Sequence, residues 1–266
     1  MFTKILYINL DRRNDRKEYM EKELKKINWS GSVERISAVD GKTLLRDDLY
    51  NLLDENAISE FMDTSDRQFD PGSYMSKGAA GCALSHRKCW ENILKGDDEK
   101  VLILEDDIQF DEKFNEKLKN YIPKIPDYDI LYIGFHEARE STQYNDILKK
   151  PGYVVFGLFG YIVNKRISKK LLDMFPIRGQ IDSEINKIYN DINVYHINED
   201  LRIIYSDHSH NNSLGTDIQF IEKFNDINNK NTPLVDTLLS DLLLSDLFIY
   251  FIVFLLLCLL LPKIIN

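Results

Sequence analysis

Cysteine is scarce: three in 266 residues, too few for the disulfide framework that holds small secreted domains together. Cys82 and Cys89 stand seven apart on a predicted helix, about 10 Å along its axis, which is beyond disulfide reach. Cys258 falls in an apolar tail. Positive charge is also short, with 34 Lys and Arg against 43 Asp and Glu for a net charge of −9. Nucleic-acid binding relies on neutralising phosphates, so no nucleic-acid partner is expected. A local basic pocket for a small phosphorylated ligand stays open. No internal repeat is present, and the first apolar run, "MFTKILYINL", is too short for a signal peptide and is expected to be a strand.

What is present is an ordinary globular composition, 44% hydrophobic and 29% charged, enough for a sizeable core. Strand-like and helical segments alternate. Lys4–Leu10 is nearly continuous apolar, as a strand covered on both faces is. Asp15–Ile27 is an amphipathic helix with Tyr19, Met20, Leu24 and Ile27 inward. Val33–Val39 is a strand closed by Asp40-Gly41, and Lys42–Ser76 is mixed and unassigned. Ala79, Ala83, His86, Trp90 and Ile93 make one stripe on a helix over Gly78–Leu94. Then follow Val101–Leu104 as strand, Phe114–Tyr121 as helix and Asp129–Gly134 as strand. Tyr153–Val163 is one strand, or two with a bend at Gly157 or Gly160. Ser168–Phe175 and Ile181–Tyr189 are helices, and Asn193–Asn198 and Leu201–Ser206 short strands. The pattern predicts an α/β fold with a mostly parallel, Rossmann-type sheet and helices on both faces. Expected boundaries are a domain over 1–215, a polar linker over 216–241 and a hydrophobic helix over 242–261. Leu247–Leu261 carries no charge, and Leu242–Leu261 is interrupted only by Ser245 and Asp246. That length spans a hydrocarbon core, and the run is apolar on every face. We expect a single-pass C-terminal membrane anchor with the preceding domain on the cytosolic side; a buried or dimerising helix is the alternative.

The stretch "VLILEDDIQF" (101–110) drives four apolar residues into Glu105-Asp106-Asp107. Clustered carboxylates repel, and burying them unpaired costs several kcal/mol. Ligands of open α/β sheets bind beyond the carboxyl ends of strands, so a Mg²⁺ or Mn²⁺ among hard oxygen ligands there relieves the cluster. The plain alternative is a solvated turn. The first strand runs into "NLDRRNDR" (9–16), and arginines at a strand end and helix start suit a nucleotide diphosphate, although they also suit a charged helix surface.

"ILYINLDRRNDR", "ISAVDG", "GAAGCALSHRKCW" and "VLILEDDI", in that order, resemble glycosyltransferase family 25, which holds lipooligosaccharide sugar transferases and procollagen galactosyltransferases. The likeness is close over Lys4–Gly134 and looser beyond, where "GYVVFGLFGYIVN" and "IDSEI" match its later segments. The resemblance implies a GT-A-like fold and a hexosyltransferase taking galactose or glucose from a UDP-sugar, with inversion, to a hydroxyl of a glycan, lipid or protein. It implies that Glu105 and Asp107 hold the metal, Asp107 foremost, with His208 as a third ligand. The spacing Glu-Asp-Asp departs from a strict Asp-x-Asp.

An inverting transfer needs a base for the acceptor hydroxyl and a stabiliser for the leaving diphosphate. Asp182, at the start of its helix, is the first choice of base, with Glu184 and Asp107 competing; Asp at a helix start is also a common cap, worth about 1 kcal/mol. Asn9, Arg12, Arg16, Ser85, His86 and Asp106 are candidates for the donor site. His86 shares an apolar stripe with Ala83 and Trp90, which suits a core histidine equally. His208 and His210 lie in a polar stretch that is otherwise an ordinary loop. Asn28-Trp-Ser and Asn211-Asn-Ser fit glycosylation sequons, relevant only on a lumenal face. Two other classes compete. A nucleotidyltransferase would want a Gly- or Lys-rich phosphate loop, and "INLDRR" has no glycine. A non-catalytic scaffold on the same fold would have no need of the acidic triplet.

Overall fold

The computed structural model describes residues 2–63 and 74–206. Its strands are β1 (Lys4–Asn9), β2 (Ser32–Ser37), β3 (Lys100–Glu105), β4 (Ile108–Phe110), β5 (Ile130–Gly134), β6 (Glu137–Ala138), β7 (Thr142–Gln143), β8 (Leu148–Lys150), β9 (Val155–Phe156), β10 (Gly160–Asn164), β11 (Val194–Ile197) and β12 (Ile204–Ser206). The helices are α1 (Asn14–Lys26), α2 (Glu55–Met62), α3 (Lys77–Lys95), α4 (Phe114–Tyr121), α5 (Ser168–Leu172) and α6 (Ile181–Asn186). Ile5 to Ile8 of β1 and Val101 to Leu104 of β3 are buried without interruption, as strands covered on both faces must be.

Eight strands form one sheet in the order β2-β1-β3-β10-β5-β11-β8-β7. β2, β1 and β3 run parallel, β11 runs parallel to β5, and β10 lies antiparallel between β3 and β5. The fold is mixed α/β with a mostly parallel sheet. Register puts Asn9 beside Ser37, Ile8 beside Glu105, and Leu104 and Gly134 beside Gly160. One edge of the sheet therefore collects the carboxyl ends of β1, β2, β3 and β5 and the start of β10.

α3 borders that edge. Ser76 caps it, accepting a hydrogen bond from the Ala79 N–H at 3.0 Å. Ala79, Ala83, His86, Trp90 and Ile93 are all buried, as their spacing predicts. Gly81 lies so close to the loop before it that a Cβ there would stand 2.6 Å from the Val39 carbonyl. Any side chain at that position forces the loop away, at a cost of about 1–3 kcal/mol. α1 carries Arg16, Met20 and Glu23 on its buried face, while Tyr19 and Leu24, expected inward, are only half-buried.

The two-strand alternative holds for Tyr153–Val163, while several other boundaries differ from the sequence pattern. Tyr153–Val163 divides into β9 and β10, and Gly157, at φ +85°, makes the bend. The Ser168–Phe175 and Ile181–Tyr189 helices stop at Leu172 and Asn186, and the last predicted strand begins at Ile204. β4 pairs with β12 and β6 with β9, and β4, β6, β7 and β8 stand where the sequence shows no clear strand pattern. Among the described residues no helix is long and apolar enough to cross a membrane. The anticipated linker 216–241, the tail 242–261 and His208 lie outside them.

Candidate active site

The last residue of β3 is Glu105, and Asp106-Asp107 form the turn into β4. Three successive carboxylates thus point from the end of a core strand, and each is treated differently. Asp106 is buried and saturated: Arg16 donates to its Oδ1 at 2.7 Å, and Asn9 Nδ2 donates to its Oδ2 at 2.7 Å. The Asn9 amide also donates to the Arg13 carbonyl and accepts from Arg35, each at 3.1 Å. Asn9 therefore locks the turn between β1, β2 and α1. Glu23, from the same face of α1 as Arg16, accepts from the Phe110 N–H at 3.1 Å and fastens β4. The two inward charges of α1 are thus what hold the acidic turn.

Asp107 is left short. Its Oδ2 lies 3.4 Å from Arg16, while its Oδ1 is buried with no hydrogen-bond partner among the described residues. Burial, the Glu105 charge and the Asp106 charge outweigh Arg16 and push its carboxyl up to about 7. Glu105 has one oxygen, Oε1, 3.4 Å from His86 Nε2. Burial works against its charge, but the His86 hydrogen bond and the nearby His86, His136 and Arg16 hold its carboxyl below the ordinary range. Glu105 and Asp107, two residues apart around an anchored Asp106, therefore offer hard oxygens that the fold leaves under-coordinated. That donor set suits Mg²⁺ or Mn²⁺, and the buried, unpartnered Asp107 oxygen is the feature such an ion would satisfy.

A second donor set shares Glu105. Cys82, His86 and Glu105 present ligand atoms all within 4.8 Å of one another. Cys82 and His86 sit one helical turn apart on α3, a spacing visible in the sequence, where Cys82 is weighed only as a disulfide partner. The Cys82 thiol is pushed far up, first by burial and then by Glu105, Asp182 and Asp107, so it faces the same acidic centre.

Asp182 belongs to this centre too. It is the second residue of α6, with Gln180 in the cap position, so it is not the helix cap. Its carboxylate accepts from its neighbour Ser183 at 2.8 Å and from the Gly157 backbone. Burial, with Glu105 adding, raises its carboxyl above the usual range in spite of those bonds. Glu184, the competing base, is 5% exposed and committed: Oε1 accepts from the Gly179 N–H at 2.7 Å and Oε2 pairs with Lys187 at 2.6 Å. It shapes the turn before α6.

Other expected donor-site residues are engaged structurally. Ser85 is buried, accepting from the Val39 N–H at 2.8 Å and donating to the Gly81 carbonyl at 2.6 Å. His86 is fully buried. Arg16 is buried against Asp106 and Asp107. Arg12 is half-exposed and pairs with Asp40 at 2.8 Å. Of the six, Asn9, Arg16 and Asp106 build the seat from behind, Ser85 ties down the Val39–Gly41 loop, and only Arg12 lies at the surface. His136 carries no recognisable signal in the sequence, yet it lies within electrostatic reach of Glu105, beside the Gly157 bend, where a Cβ would stand 2.7 Å from its ring.

Comparison with known proteins bears on this arrangement. A model described as glycosyltransferase family 25 (LPS biosynthesis protein) matches residues 2–185, from β1 through the acidic triplet to α6. The chain belongs to glycosyltransferase family 25. Zebrafish procollagen galactosyltransferase 1 is 30% identical over 200 residues, 71% of this chain and 32% of the relative. The human protein named inactive glycosyltransferase 25 family member 3 is 29% identical over 190 residues, 68% and 30%. The chain thus spans about a third of the length of these family 25 relatives. Among solved structures, the apo-form glycosyltransferase GlyE of Streptococcus pneumoniae is 10% identical with a TM-score of 0.42, covering 77% of this chain and 54% of that one.

Proposed function

We propose that this family 25 chain is a metal-assisted hexosyltransferase with a GT-A-like donor site. It moves galactose or glucose from a UDP-sugar, with inversion, to a hydroxyl acceptor on a glycan, lipid or protein. The observation that carries the proposal is the pair Glu105 and Asp107, held two residues apart on an anchored turn with a buried oxygen left unpartnered. A bound Mg²⁺ or Mn²⁺ would offset the charge of the departing diphosphate. The chain's own residues do the rest. Arg16 and Asn9 fix the turn, so the carboxylates are preorganised before donor arrives. Asp182, whose raised carboxyl brings it nearer the working pH, accepts the proton of the attacking hydroxyl. Arg12, in the turn between β1 and α1, swings from Asp40 to meet the diphosphate. The apolar run 242–261 tethers the domain to a membrane; vesicle flotation should vanish when residues after about Asn231 are removed, and flotation of the shortened chain would refute the tether.

The family includes a relative named inactive, so turnover decides between an enzyme and a scaffold. The test is hydrolysis of a panel of nucleotide sugars with and without Mn²⁺. Metal-stimulated release of UDP is expected. No release from any donor, with no metal-dependent binding, would make the chain a scaffold.

A further inference from the structure

We propose that the buried series Trp90–Tyr161–His86 fixes the proton of His86 on Nε2, making His86 a positioning residue that holds Glu105 and not a metal ligand. The role, though not the hydrogen-bond direction, rests on Glu105 belonging to a cation seat.

The direction follows from the first member. An indole N–H can only donate, so Trp90 Nε1, 3.1 Å from Tyr161 Oη, gives its hydrogen to that oxygen. Tyr161 has one proton of its own, and His86 Nδ1 lies 2.9 Å away. All three residues are sealed from solvent, and burial pushes the phenol's pKa far above its ordinary value, so that proton stays on. Were His86 Nδ1 to donate, Tyr161 would accept twice and its own hydrogen would be buried without an acceptor among the described residues, an arrangement native interiors avoid. Tyr161 therefore donates to Nδ1, and the imidazole hydrogen sits on Nε2, facing Glu105 Oε1 at 3.4 Å. That distance is long for an N–H···O bond, as outer contacts often are before the site fills.

Two consequences follow. Glu105 is held through Oε1, leaving its other oxygen for the seat. The Cys82–His86–Glu105 set, close as its atoms are, lacks the bare imidazole nitrogen that a thiophilic cation such as Zn²⁺ would need.

The primary test is the tautomer of His86 in the metal-free protein, read from two-bond ¹⁵N–¹H correlations. The resonance is assigned by its absence in His86→Gln. A ring with its hydrogen on Nε2 and a bare Nδ1 is expected. Protonation on Nδ1, with Nε2 bare, would overturn the proposal and point to a thiolate-imidazole-carboxylate centre. A second arm compares two amides. Gln presents an N–H where Nε2 stands and Asn presents its amide where Nδ1 stands. With matched melting temperatures, His86→Gln should need within a few-fold of the wild-type Mn²⁺ for half-maximal turnover, and His86→Asn about 10–100-fold more. Equal behaviour of the two would contradict a positioning role. A wild type whose turnover ignores Mn²⁺ would remove the cation seat, and His86's role with it, even if the Nε2–H form were found.

Discussion

At the amino end of β3, Lys100 reaches Asp127 at 3.4 Å, and Arg166 bridges Asp127 and Asp129 at 2.6 and 2.5 Å. Asp129 also accepts from the Asn193 N–H at 2.7 Å. Two carboxylates meet two cations there, and the Arg166 hydrogen bond holds the Asp127 carboxyl below its ordinary range. At the carboxyl end of the same strand, Glu105, Asp106 and Asp107 share the buried cation Arg16, and Asp182 lies within electrostatic reach of Glu105. Burial, first among the causes, pushes Asp106, Asp107 and Asp182 upward. The same residue types thus give a self-neutralised clasp at one end and a charge deficit at the other. A fold selected for stability alone has no reason to keep the second arrangement, so the deficit marks the working end of the strand.

The comparison breaks most sharply at Asp182. If it is the base, Asp182→Asn should lower kcat by about 10²–10⁴-fold with little change in the donor's KM. A change confined to KM would make it a binding residue. A smaller effect separates the ends in the absence of metal. The native Asp107 carboxyl titrates at about 7, whereas an unfolded one titrates near ~4. Between those values the folded chain keeps a proton that the unfolded chain has released, so stability falls as pH rises through the window. Asp107→Asn lacks that penalty. It should match the wild type below about pH 4 and exceed it by about 4 kcal/mol near pH 8 in urea unfolding; coincident curves at every pH would show that Asp107 is not under strain. The smallest effect belongs to the other end. Arg166→Ala should cost about 1 kcal/mol of stability, as half-exposed pairs do, and leave the Mn²⁺ requirement unchanged. A shifted requirement would mean that the two ends are coupled.

Long periodic segments were legible in the sequence. The apolar run of β1, the stripe of α3 and the bounds of α4 follow directly from burial periodicity. β4, β6, β7 and β8 were not, because strands of two or three residues carry no period and form only through partners distant in sequence. The position of the acidic triplet at a strand end was readable, but its division of labour was not. Only the fold reveals that Asp106 is saturated by Arg16 and Asn9 while Asp107 is left open. Arg16 and Glu23 on the buried face of α1 contradict the simple amphipathic pattern, and that contradiction was the available sign of a buried charged turn. Ser85 and Glu184 carry side chains suited to chemistry but close their hydrogen bonds on the nearby backbone.

The central claim is that Glu105 and Asp107 form an under-coordinated seat for a hard divalent cation. Calorimetric titration of Mn²⁺ into the wild type and Asp107→Asn, each with UDP present, tests it most directly. The account predicts one Mn²⁺ bound by the wild type and affinity at least about tenfold weaker in the variant. Equal binding by both, or none by the wild type, would contradict it.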